Sequence, residues 1–379
     1  MDINDYRARI DQIDTELMSL LEERMRVAEG IAQYKKENSI PITDAMRERE
    51  VIEEITDESS PDLAYYNRIL FTTLMEMSKD HQAKVIDQET KIAEDIKEAL
   101  QYSPKDFPER PLVACQGVEG AYSQEACERF FKMPKIMFMK NFRGVFAAIN
   151  GGLCQYGILP IENSTAGSVN QVYDLMMEYN FHIVKSIKVK INHSLLSNKG
   201  ASKEGIRDIY SHPQALAQCE EYIKKMPMVT VHVCENTAEA AKMVAESGRT
   251  DVAAIASSEN RDLYGLDVIE EAIQDNDNNY TRFICITKEL EIFPGANRTS
   301  LMLTTNHKPG SLYQVLARFN AMGINIIKLE SRPIPSTDFE FMFYFDIDES
   351  VYSENFIRMI NQLNLNCKEF IYLGSYIEL

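Results

Sequence analysis

A long segment without proline near the start of the chain constrains the fold most strongly. Between Arg7 and Asn38, apolar residues recur every three or four positions, which predicts an amphipathic helix. Arg24 and Lys35 fall near the centre of that apolar stripe, about 20° apart at 100° per residue. A cation there either extends to solvent or faces an anion, because burying an unpaired charge is very costly. Two aligned cations favour the second interpretation.

Two further predicted helices direct polar groups toward the same interior. A second helix begins near Asp44, a good N-cap residue, and Glu48 lies on its apolar face. A third helix begins after Pro61 and carries Ser78 and Gln82 on the edge of its apolar face. Together with the two cations, these groups predict a pocket for a small dianionic ligand that carries a hydroxyl group.

This helical region resembles the all-helical chorismate mutase family. The matching positions are Arg7, residues 10–14 (IDQID), Arg24, Lys35, residues 41–49 (PITDAMRER), Ser78 and Gln82. The resemblance covers roughly residues 1–90 and implies a helical chorismate mutase domain over residues 1–100. Arg7 lies about 100° from Arg24 on the helical wheel, so one chain is not expected to direct both side chains into one pocket.

The resemblance also implies a role for each matching residue. The two carboxylates of chorismate would be held by Arg24, Arg47 and the partner subunit's Arg7, with Ser78 as a further substrate contact. Lys35 and Gln82 would contact the ether oxygen, and Glu48 with the Asp44 backbone would bind the ring hydroxyl. Chorismate becomes prephenate by a unimolecular rearrangement, so the enzyme needs to select a conformer and place donors where charge develops. A nucleophile is not required.

Length and composition limit the number of domains and the classes of partner and cofactor that are expected. The 379 residues are too many for one ordinary core and predict two or three domains. A formal net charge of −18 argues against nucleic-acid and anionic-membrane partners. Seven cysteines without a C-x-x-C pair, and a start that is not a signal peptide, predict reduced thiols in a cytoplasmic protein. With no phosphate-loop glycine motif and no zinc-ligand spacing, we expect neither a metal nor an organic cofactor.

The sequence pattern changes after a proline-rich linker at residues 101–111. Before it, we expect the third helix to continue toward Leu100, with the charged stretch 87–98 as its solvated face. After it, short apolar strands alternate with helices, which predicts an α/β domain over residues 112–290 with a largely parallel sheet. The strands are predicted at residues 112–115, 136–139, 156–161, 181–191, 208–210, 229–233 and 252–256.

Three strand-to-helix junctions in this α/β region are rich in small polar residues. They are residues 116–124 (QGVEGAYSQ), 160–170 (PIENSTAGSVN) and 211–214 (SHPQ). Any one of them could be an ordinary cap or turn. Three at the carboxyl ends of successive strands predict a ligand cleft, because helix N-termini offer free N–H groups to carboxylates.

The same region resembles the prephenate dehydratase family. The resemblance is carried by residues 160–167 (PIENSTAG), 211–219 (SHPQALAQC), 264–269 (YGLDVI) and 280–283 (YTRF), and it covers essentially residues 112–288. It implies a two-lobed fold similar to periplasmic binding proteins, with the site between the lobes. Two positions depart from the family: residues 115–118 read CQGV where an aromatic–Leu–Gly–Pro opening is usual, and Ser194 stands where a cysteine is common.

In that family prephenate loses CO₂ and its ring hydroxyl together as the ring becomes aromatic. The residue expected to donate to the departing hydroxyl is Thr281, as a positioned hydrogen-bond donor, since threonine is too weak an acid for matched general acid catalysis. Arg282 is expected either to anchor a carboxylate or to hold Thr281. Glu162 would orient other groups or supply the proton. His212 precedes a proline and is expected to be a structural turn residue. The remaining residues expected to line the cleft are Asn163, Ser164 and Gln214.

A second break at residues 293–297 (FPGAN) precedes a smaller domain over residues 297–379. Its predicted order is strand, helix, strand, strand, helix, strand, the βαββαβ pattern of ferredoxin-like domains. Two motifs resemble the small-molecule-binding ACT domain, and the resemblance implies phenylalanine as effector and pairing of such domains across a dimer. The expected effector-binding residues are Gly310, Ser311, Leu312, Glu330, Ser331, Arg332 and Pro333. In the first motif, GSLY replaces the more usual GALV.

The whole chain thus resembles the bifunctional chorismate mutase/prephenate dehydratase family, with chorismate and prephenate as substrates and a homodimer as the minimum assembly. A larger oligomer is also compatible with this reading. One alternative is a non-catalytic amino-acid-binding regulator, which would not explain the Thr281–Arg282 pair or the placement of Lys35. Another is a dehydratase whose helical region is only a dimerisation arm, which the complete set of mutase positions disfavours.

Overall fold

The computed structural model describes residues 2–86, 90–226, 228–307, 309–334 and 340–379. Within them the chain forms two compact units. The first comprises residues up to Lys91 together with Arg358–Asn366, and the second comprises Ile92–Ile357 together with Cys367–Leu379. No helix among the described residues is both long enough and apolar enough to cross a membrane.

The first unit is helical, as the sequence predicts. Its N-terminal part contains α1 (Ile3–Glu37), α2 (Ala45–Glu58) and α3 (Ala64–Ile86), and α3 packs against both other helices. The Asp2 side chain accepts from the N–H groups of Asn4 and Asp5 at the start of α1, and the Asp44 side chain accepts from the N–H of Arg47 in α2. These caps satisfy N–H groups that a helix leaves unpaired in its first turn.

Much of the apolar stripe of α1 is left exposed by the described residues. Ala28 and Ala32 are buried, whereas Ile10 is 56%, Leu17 is 52% and Leu20 is 61% exposed. A contiguous apolar surface of this kind marks a contact surface for another molecule.

The second unit begins with α4 and continues into the first lobe of an α/β domain. Its elements are α4 (Lys91–Tyr102), β1 (Leu112–Gln116), α5 (Tyr122–Phe130), β2 (Lys135–Met139), α6 (Phe142–Asn150), β3 (Tyr156–Asn163), β4 (Gly167–Ser168), α7 (Asn170–Tyr179) and β5 (His182–Lys190). We expected the third helix to continue to Leu100 with residues 87–98 as a solvated face, and this is wrong, because α4 is a separate helix. This separate helix buries Ala93, Ile96 and Ala99, and residues 87–89 lie outside the described residues.

The linker that follows α4 is anchored by an aromatic residue. The Phe107 ring stacks on Phe131 with centroids 4.8 Å apart, and it meets Phe293 edge-on at the same distance. The Lys185 Nζ atom lies 3.6 Å from the Phe107 ring centroid, a cation–π contact.

The second lobe follows β5, and the chain then returns to the first. Its elements are β6 (Ser194–Ser197), a 3₁₀ turn (Lys203–Gly205), β7 (Asp208–Ser211), α8 (Pro213–Gln218), α9 (Glu220–Lys224), β8 (Thr230–Val233), α10 (Thr237–Ser247), β9 (Val252–Ala256), α11 (Asn260–Tyr264) and β10 (Asp267–Glu270). The returning strand is β11 (Tyr280–Thr287), which the strand prediction missed.

Each lobe is built on a mixed sheet, so the expectation of a largely parallel sheet is wrong. The strand order is β5-β11-β3-β1-β2 in the first lobe and β10-β6-β9-β7-β8 in the second. Strands β3, β1 and β2 are parallel, but β11 runs antiparallel to both β3 and β5. The antiparallel direction arises because β11 enters the first lobe on the way back from the second.

The C-terminal elements form an antiparallel sheet with two intervening helices. They are β12 (Arg298–Thr304), α12 (Ser311–Ala321), β13 (Asn325–Pro333), β14 (Phe341–Asp348), α13 (Phe356–Asn366) and β15 (Glu369–Glu378). The strand order is β13-β14-β12-β15, and the end of β15 pairs in parallel with β5. This C-terminal sheet is therefore continuous with the sheet of the first lobe.

Candidate functional site

A cleft of about 310 Å³ lies where the chain passes between the two lobes. The outward crossing, residues 191–193, lies beside the returning one, because Ile191 N–H donates to the Asn279 carbonyl oxygen at 2.8 Å. Ile273 N–H likewise donates to the His193 carbonyl oxygen at 2.9 Å. Paired crossings of this kind let two lobes share one site at their junction.

All three junctions predicted from the sequence contribute to this cleft. The first supplies Gln116, Ala121, Tyr122 and Ser123, the second supplies Pro160, Asn163 and Val169, and the third supplies His212 and Gln214. Thr281 and Phe283 of β11 complete one wall, and Glu235, Asn236 and Thr237 lie at the start of α10. The cleft therefore combines amide, hydroxyl and imidazole groups with an apolar wall.

Thr281 and Asn163 form the central polar pair of the cleft. They are opposite one another in the β11–β3 pairing, and Asn163 Nδ2 lies 2.9 Å from Thr281 Oγ1. The Asn163 amide has a defined orientation, since its Oδ1 accepts from the backbone N–H groups of Thr165 at 3.1 Å and Ala166 at 2.9 Å. Nδ2 must then donate to the threonine oxygen, which leaves the threonine proton available to a ligand.

A second layer of side chains supports this pair. Gln218 Oε1 accepts from Asn279 Nδ2 at 3.0 Å and lies 2.9 Å from His193 Nε2. Asn163 Nδ2 also donates to Asn279 Oδ1 at 2.8 Å. The sequence analysis did not identify His193, Gln218 or Asn279 as site residues. Gln218 lies within the family stretch 211–219, His193 directly precedes Ser194, and Asn279 directly precedes Tyr280.

His193 is the most unusual group in this layer. It is 2% exposed and lines the cleft, and its Nδ1 atom has no hydrogen-bond partner in the part of the chain that the structure describes. Burial lowers the pKa of His193 below its ordinary value, so the imidazole is neutral at pH 7. Because Nε2 donates to the Gln218 Oε1 oxygen, the neutral ring has no second N–H, and Nδ1 can only accept a hydrogen bond from a bound ligand.

Two residues expected to line the cleft lie on the opposite side of the sheet. Arg282 and Glu162 are opposite one another in the β11–β3 pairing, with Arg282 Nε 2.8 Å from Glu162 Oε1. Successive strand residues point to opposite faces, so the neighbours of Thr281 and Asn163 point away from the cleft. The expectation that Glu162 lines the cleft is therefore wrong. Of the two roles expected for Arg282, this position excludes a carboxylate anchor inside the cleft, and holding Thr281 stays a prediction.

Two other predicted residues stabilise the cleft from its edge. The Ser164 hydroxyl accepts from the Tyr280 N–H at 2.9 Å and donates to the Asn278 carbonyl oxygen at 3.0 Å, tying the loop after β3 to the returning crossing. The His212 Nδ1 atom accepts from the Gln214 N–H at 3.2 Å and so caps α8, in keeping with a turn residue, and the His212 ring also lines the cleft.

A second cluster lies between the helices of the first unit. Arg24 of α1 donates through Nη1 to the Leu74 carbonyl oxygen at 2.8 Å and to the Ser78 hydroxyl. Gln82 lies one turn beyond Ser78 on α3, and both are 7% exposed. The Gln82 Oε1 atom has no hydrogen-bond partner among the described residues. The predicted cation, hydroxyl and amide are therefore brought together, and a buried amide oxygen is available.

The predicted carboxylate of this cluster is paired with a lysine that sequence reasoning missed. Lys79 Nζ lies 3.1 Å from Glu48 Oε1 and 2.6 Å from Glu76 Oε1. Burial acts to lower the pKa of Lys79, but the two carboxylates outweigh it and raise the pKa, so the lysine is fully charged. Lys35 donates to the Ile42 carbonyl oxygen, which holds its side chain against the loop before α2.

Three other predicted residues of the mutase site are exposed in the single chain. Arg47 pairs with Glu50 on α2 at 3.2 Å, and Asp44 caps that helix. Arg7 lies seventeen residues before Arg24 on α1, about 25 Å along the helix axis at 1.5 Å per residue. Arg7 and Arg24 of one chain therefore do not share a pocket.

The C-terminal sheet carries a third cavity, of about 580 Å³, beside the start of α12. Its lining includes Gly310, Ser311, Leu312, Tyr313, Phe341 and Phe343. Gly310 has a φ of +85°, a left-handed conformation that favours glycine at this helix entry. The second predicted effector motif, residues 330–333, is not part of that lining.

The side chains of this second motif alternate between two environments on β13. Glu330 accepts from the Ser168 hydroxyl at 2.6 Å, and Arg332 Nη2 lies 3.1 Å from Asp174 Oδ1, so both engage the first lobe. Ser331 and Pro333 are exposed on the other face. The two expected effector motifs therefore do not meet in one cavity of a single chain.

Family models match both enzymatic regions. The model for prephenate dehydratase matches residues 113–291, and the model for chorismate mutase type II matches residues 6–83. Arogenate dehydratase/prephenate dehydratase 2 of Arabidopsis thaliana is 38% identical over 279 residues, which cover 70% of this chain and 73% of that relative. A bifunctional chorismate mutase/prephenate dehydratase of Enterobacter agglomerans is 30% identical over 379 residues, covering 98% of this chain and 94% of the relative.

Solved structures share the fold of the second unit. The quorum-quenching acylase GqqA matches with a TM-score of 0.64 at 29% identity, covering 70% of this chain and 97% of its own. Prephenate dehydratase from Arthrobacter aurescens in complex with L-Phe matches with a TM-score of 0.64 at 24% identity, covering 70% of this chain and 89% of its own. The two family models and the full-length relative cover the regions that form the cleft and the helical cluster. The chain belongs to the bifunctional chorismate mutase/prephenate dehydratase family.

Proposed function

We propose that the two activities of this chain act in series, with prephenate formed in the helical unit and converted to phenylpyruvate in the cleft, under inhibition by phenylalanine. The observation that carries the dehydratase assignment is the Asn163–Thr281 hydrogen bond, in which the threonine oxygen accepts, so that its proton is available to a ligand. The individual residue roles below belong to this proposal.

In the mutase step, the helical cluster selects the compact conformer of chorismate. Arg24 and Arg47 hold its carboxylates, and Ser78 and the Asp44 backbone add polar contacts. Glu48, held by Lys79, accepts from the ring hydroxyl. As the C–O bond breaks and the C–C bond forms, negative charge develops on the ether oxygen, where Lys35 and Gln82 donate. Preorganised donors of this kind stabilise the transition state more than the ground state.

In the dehydratase step, the bond between the ring and its carboxylate breaks and its electron pair enters the ring. The ring C–O bond breaks at the same time, and that electron pair leaves with the hydroxide. Thr281 donates to the departing oxygen, while Asn163 holds the threonine in place. Gln214, which also lines the cleft, orients a carboxylate of the substrate through its side-chain amide.

The mutase pocket is completed by a second copy of the chain. Two observations support a homodimer as the minimum assembly: the exposed apolar stripe of α1, and the distance of about 25 Å between Arg7 and Arg24 along that helix. In a dimer that covers the stripe, the partner's Arg7 reaches the pocket that contains Arg24. All seven cysteines are free thiols, which supports a reducing compartment such as the cytoplasm.

The C-terminal sheet acts as a phenylalanine sensor of the ACT type. Its strand order corresponds to 4-1-3-2 in a βαββαβ chain, and the cavity beside Gly310 offers two phenylalanine rings to an aromatic ligand. Ser331, with Ile327 and Leu329, lies on an exposed face of β13 that a second copy would cover. A related dehydratase structure contains L-Phe.

Separate assays of the two steps test this proposal. Purified protein should consume chorismate and should form phenylpyruvate from prephenate, with phenylalanine slowing the second reaction. Because one relative is named an arogenate dehydratase/prephenate dehydratase, arogenate should be supplied in a parallel assay. If none of the substrates reacts, the non-catalytic regulator is favoured instead. If phenylalanine leaves the rates unchanged, the sensor role is excluded.

A further inference from the structure

Behind the dehydratase cleft lies a group of buried and partly buried charges that the catalytic step does not use. We call it the rear cluster and define it as Glu162 and Arg282 of the first lobe with Lys328 and Asp346 of the C-terminal sheet. Arg282 is 5% exposed and Asp346 is 1% exposed, and the two side chains form an ion pair. Glu162 pairs with both Arg282, at 2.8 Å, and Lys328.

The rear cluster joins two cross-strand pairs. Glu162 and Arg282 are opposite one another on β3 and β11, and Lys328 and Asp346 are opposite one another on β13 and β14. Each lobe residue faces an opposite charge from the C-terminal sheet. Asp346 also accepts from the Ser300 hydroxyl, which lies 2.7 Å from the Tyr376 hydroxyl, so its position is fixed by its own sheet.

The lobe side of the rear cluster is directly linked to the catalytic pair. Glu162 precedes Asn163 on β3, and Arg282 follows Thr281 on β11. A force on either charged side chain therefore acts on the same stretch of backbone that carries the Asn163–Thr281 hydrogen bond. Misplacement of a catalytic group by about 1 Å can lower turnover about a hundredfold.

The other side of the rear cluster is linked to the proposed effector cavity. Phe341 and Phe343 of β14 line that cavity, and Asp346 lies three residues further along the same strand, about 10 Å away at 3.3 Å per residue. Lys328 also donates to the Ser168 hydroxyl at 3.1 Å, and Ser168 in turn donates to Glu330. One strand thus connects the effector cavity to the back of the catalytic strands.

We propose that Lys328 and Asp346 are the residues through which effector binding in the C-terminal sheet displaces the catalytic pair, by way of the rear cluster. The inference rests on the proposed phenylalanine regulation and adds its physical route. Allostery requires two sites and a contact that differs between two states, and coupling of this kind typically amounts to about 5–150-fold in affinity. The network suits the role because Arg282, which is 5% exposed, is held from two sides, by Glu162 of its own lobe and by Asp346 of the C-terminal sheet. A change in the position of Asp346 therefore alters the balance of attraction on a buried cation.

The test uses the full-length chain with Lys328→Met and, independently, Asp346→Asn. The matched control is Asp348→Asn on the same strand, which removes an exposed pair with Arg298 at 2.8 Å. For each variant, phenylalanine binding is measured by calorimetry, dehydratase turnover is measured across phenylalanine concentrations, and thermal unfolding reports the fold. Mutase turnover in the same chain normalises enzyme concentration.

We expect both variants to bind phenylalanine and turn over prephenate without it, but to need about tenfold more phenylalanine for the same inhibition. The Asp348→Asn control should be inhibited like the unmodified chain. If Lys328→Met is inhibited at unchanged phenylalanine concentrations, the inference is overturned even if Asp346→Asn fails to fold. If the unmodified chain itself neither binds phenylalanine nor responds to it, the effector proposal fails first and this route fails with it.

Discussion

Replacing Thr281 by valine removes the proposed donor while changing little else. The two side chains have nearly the same shape, and Thr281 is 8% exposed, so a methyl group takes the space of the hydroxyl without opening a cavity. Asn163 Nδ2 loses one acceptor but keeps Asn279 Oδ1 at 2.8 Å and the Tyr280 carbonyl oxygen at 3.2 Å. We therefore expect stability to fall by only about 1 kcal/mol, the net value of one hydrogen bond.

The effect on turnover should be far larger. Removing one donor that acts on a developing oxyanion typically lowers kcat by about 10²–10³, or about 2.7–4 kcal/mol. We predict a loss of that size in phenylpyruvate formation from prephenate, with KM nearly unchanged, because the donor acts mainly in the transition state. Thr281→Ala, which also opens a small cavity, should nearly abolish the reaction.

Two controls make this prediction specific. Thr281→Ser keeps the hydroxyl and should retain most of the turnover, and the mutase activity of Thr281→Val should equal that of the unmodified chain. If Thr281→Val forms phenylpyruvate at close to the original rate, then Thr281 is not the donor to the leaving hydroxyl and the reasoning is refuted.

The remaining predictions concern the helical cluster and the buried histidines. Lys35→Ala should lower the mutase kcat far more than it raises KM, and a small effect on kcat would remove Lys35 from the mechanism. Lys79→Met should lower mutase kcat/KM about tenfold, because Glu48 loses the cation that lies 3.1 Å away. Lys79→Arg keeps the charge and should retain most of the activity. Equal losses in the two variants would contradict a charge effect. Burial lowers the pKa of His182 and of His193. Below about pH 6.5 the unfolded chain therefore binds more protons than the folded chain, and the free energy of unfolding should decrease as the pH falls. His182→Gln should reduce that acid slope by up to about 1.4 kcal/mol per pH unit in denaturant titrations at pH 5–7, and an unchanged slope would show that His182 does not titrate there.

The sequence allowed the cleft to be located because its components are local. Each junction combines a strand end with small polar residues before a helix, and this pattern reflects free N–H groups and turn geometry. The pairing of Asn163 with Thr281 was not visible in that way, since the two residues are far apart in the chain and β11 was not predicted as a strand. With β11 predicted, the two-residue period would have turned Arg282 away from Thr281.

Other features depend on contacts that no local pattern encodes. The partner of Arg282 is Asp346, which looks like any charged residue in an alternating strand until the C-terminal sheet joins the first lobe. In the helical unit, Arg24 and Ser78 were predictable because charges on an apolar stripe are conspicuous. Lys79 was not, since a lysine beside a serine on a helix is usually a solvated residue.

The most direct test of the whole account is phenylpyruvate formation by the purified chain supplied with chorismate alone. The account predicts that phenylpyruvate accumulates without any added mutase, and that either Lys35→Ala or Thr281→Val strongly slows its formation while each leaves the other step intact. If the unmodified chain forms no phenylpyruvate from chorismate but does so from prephenate, the helical unit is not a working mutase, and the claim of two serial active sites in one chain is contradicted.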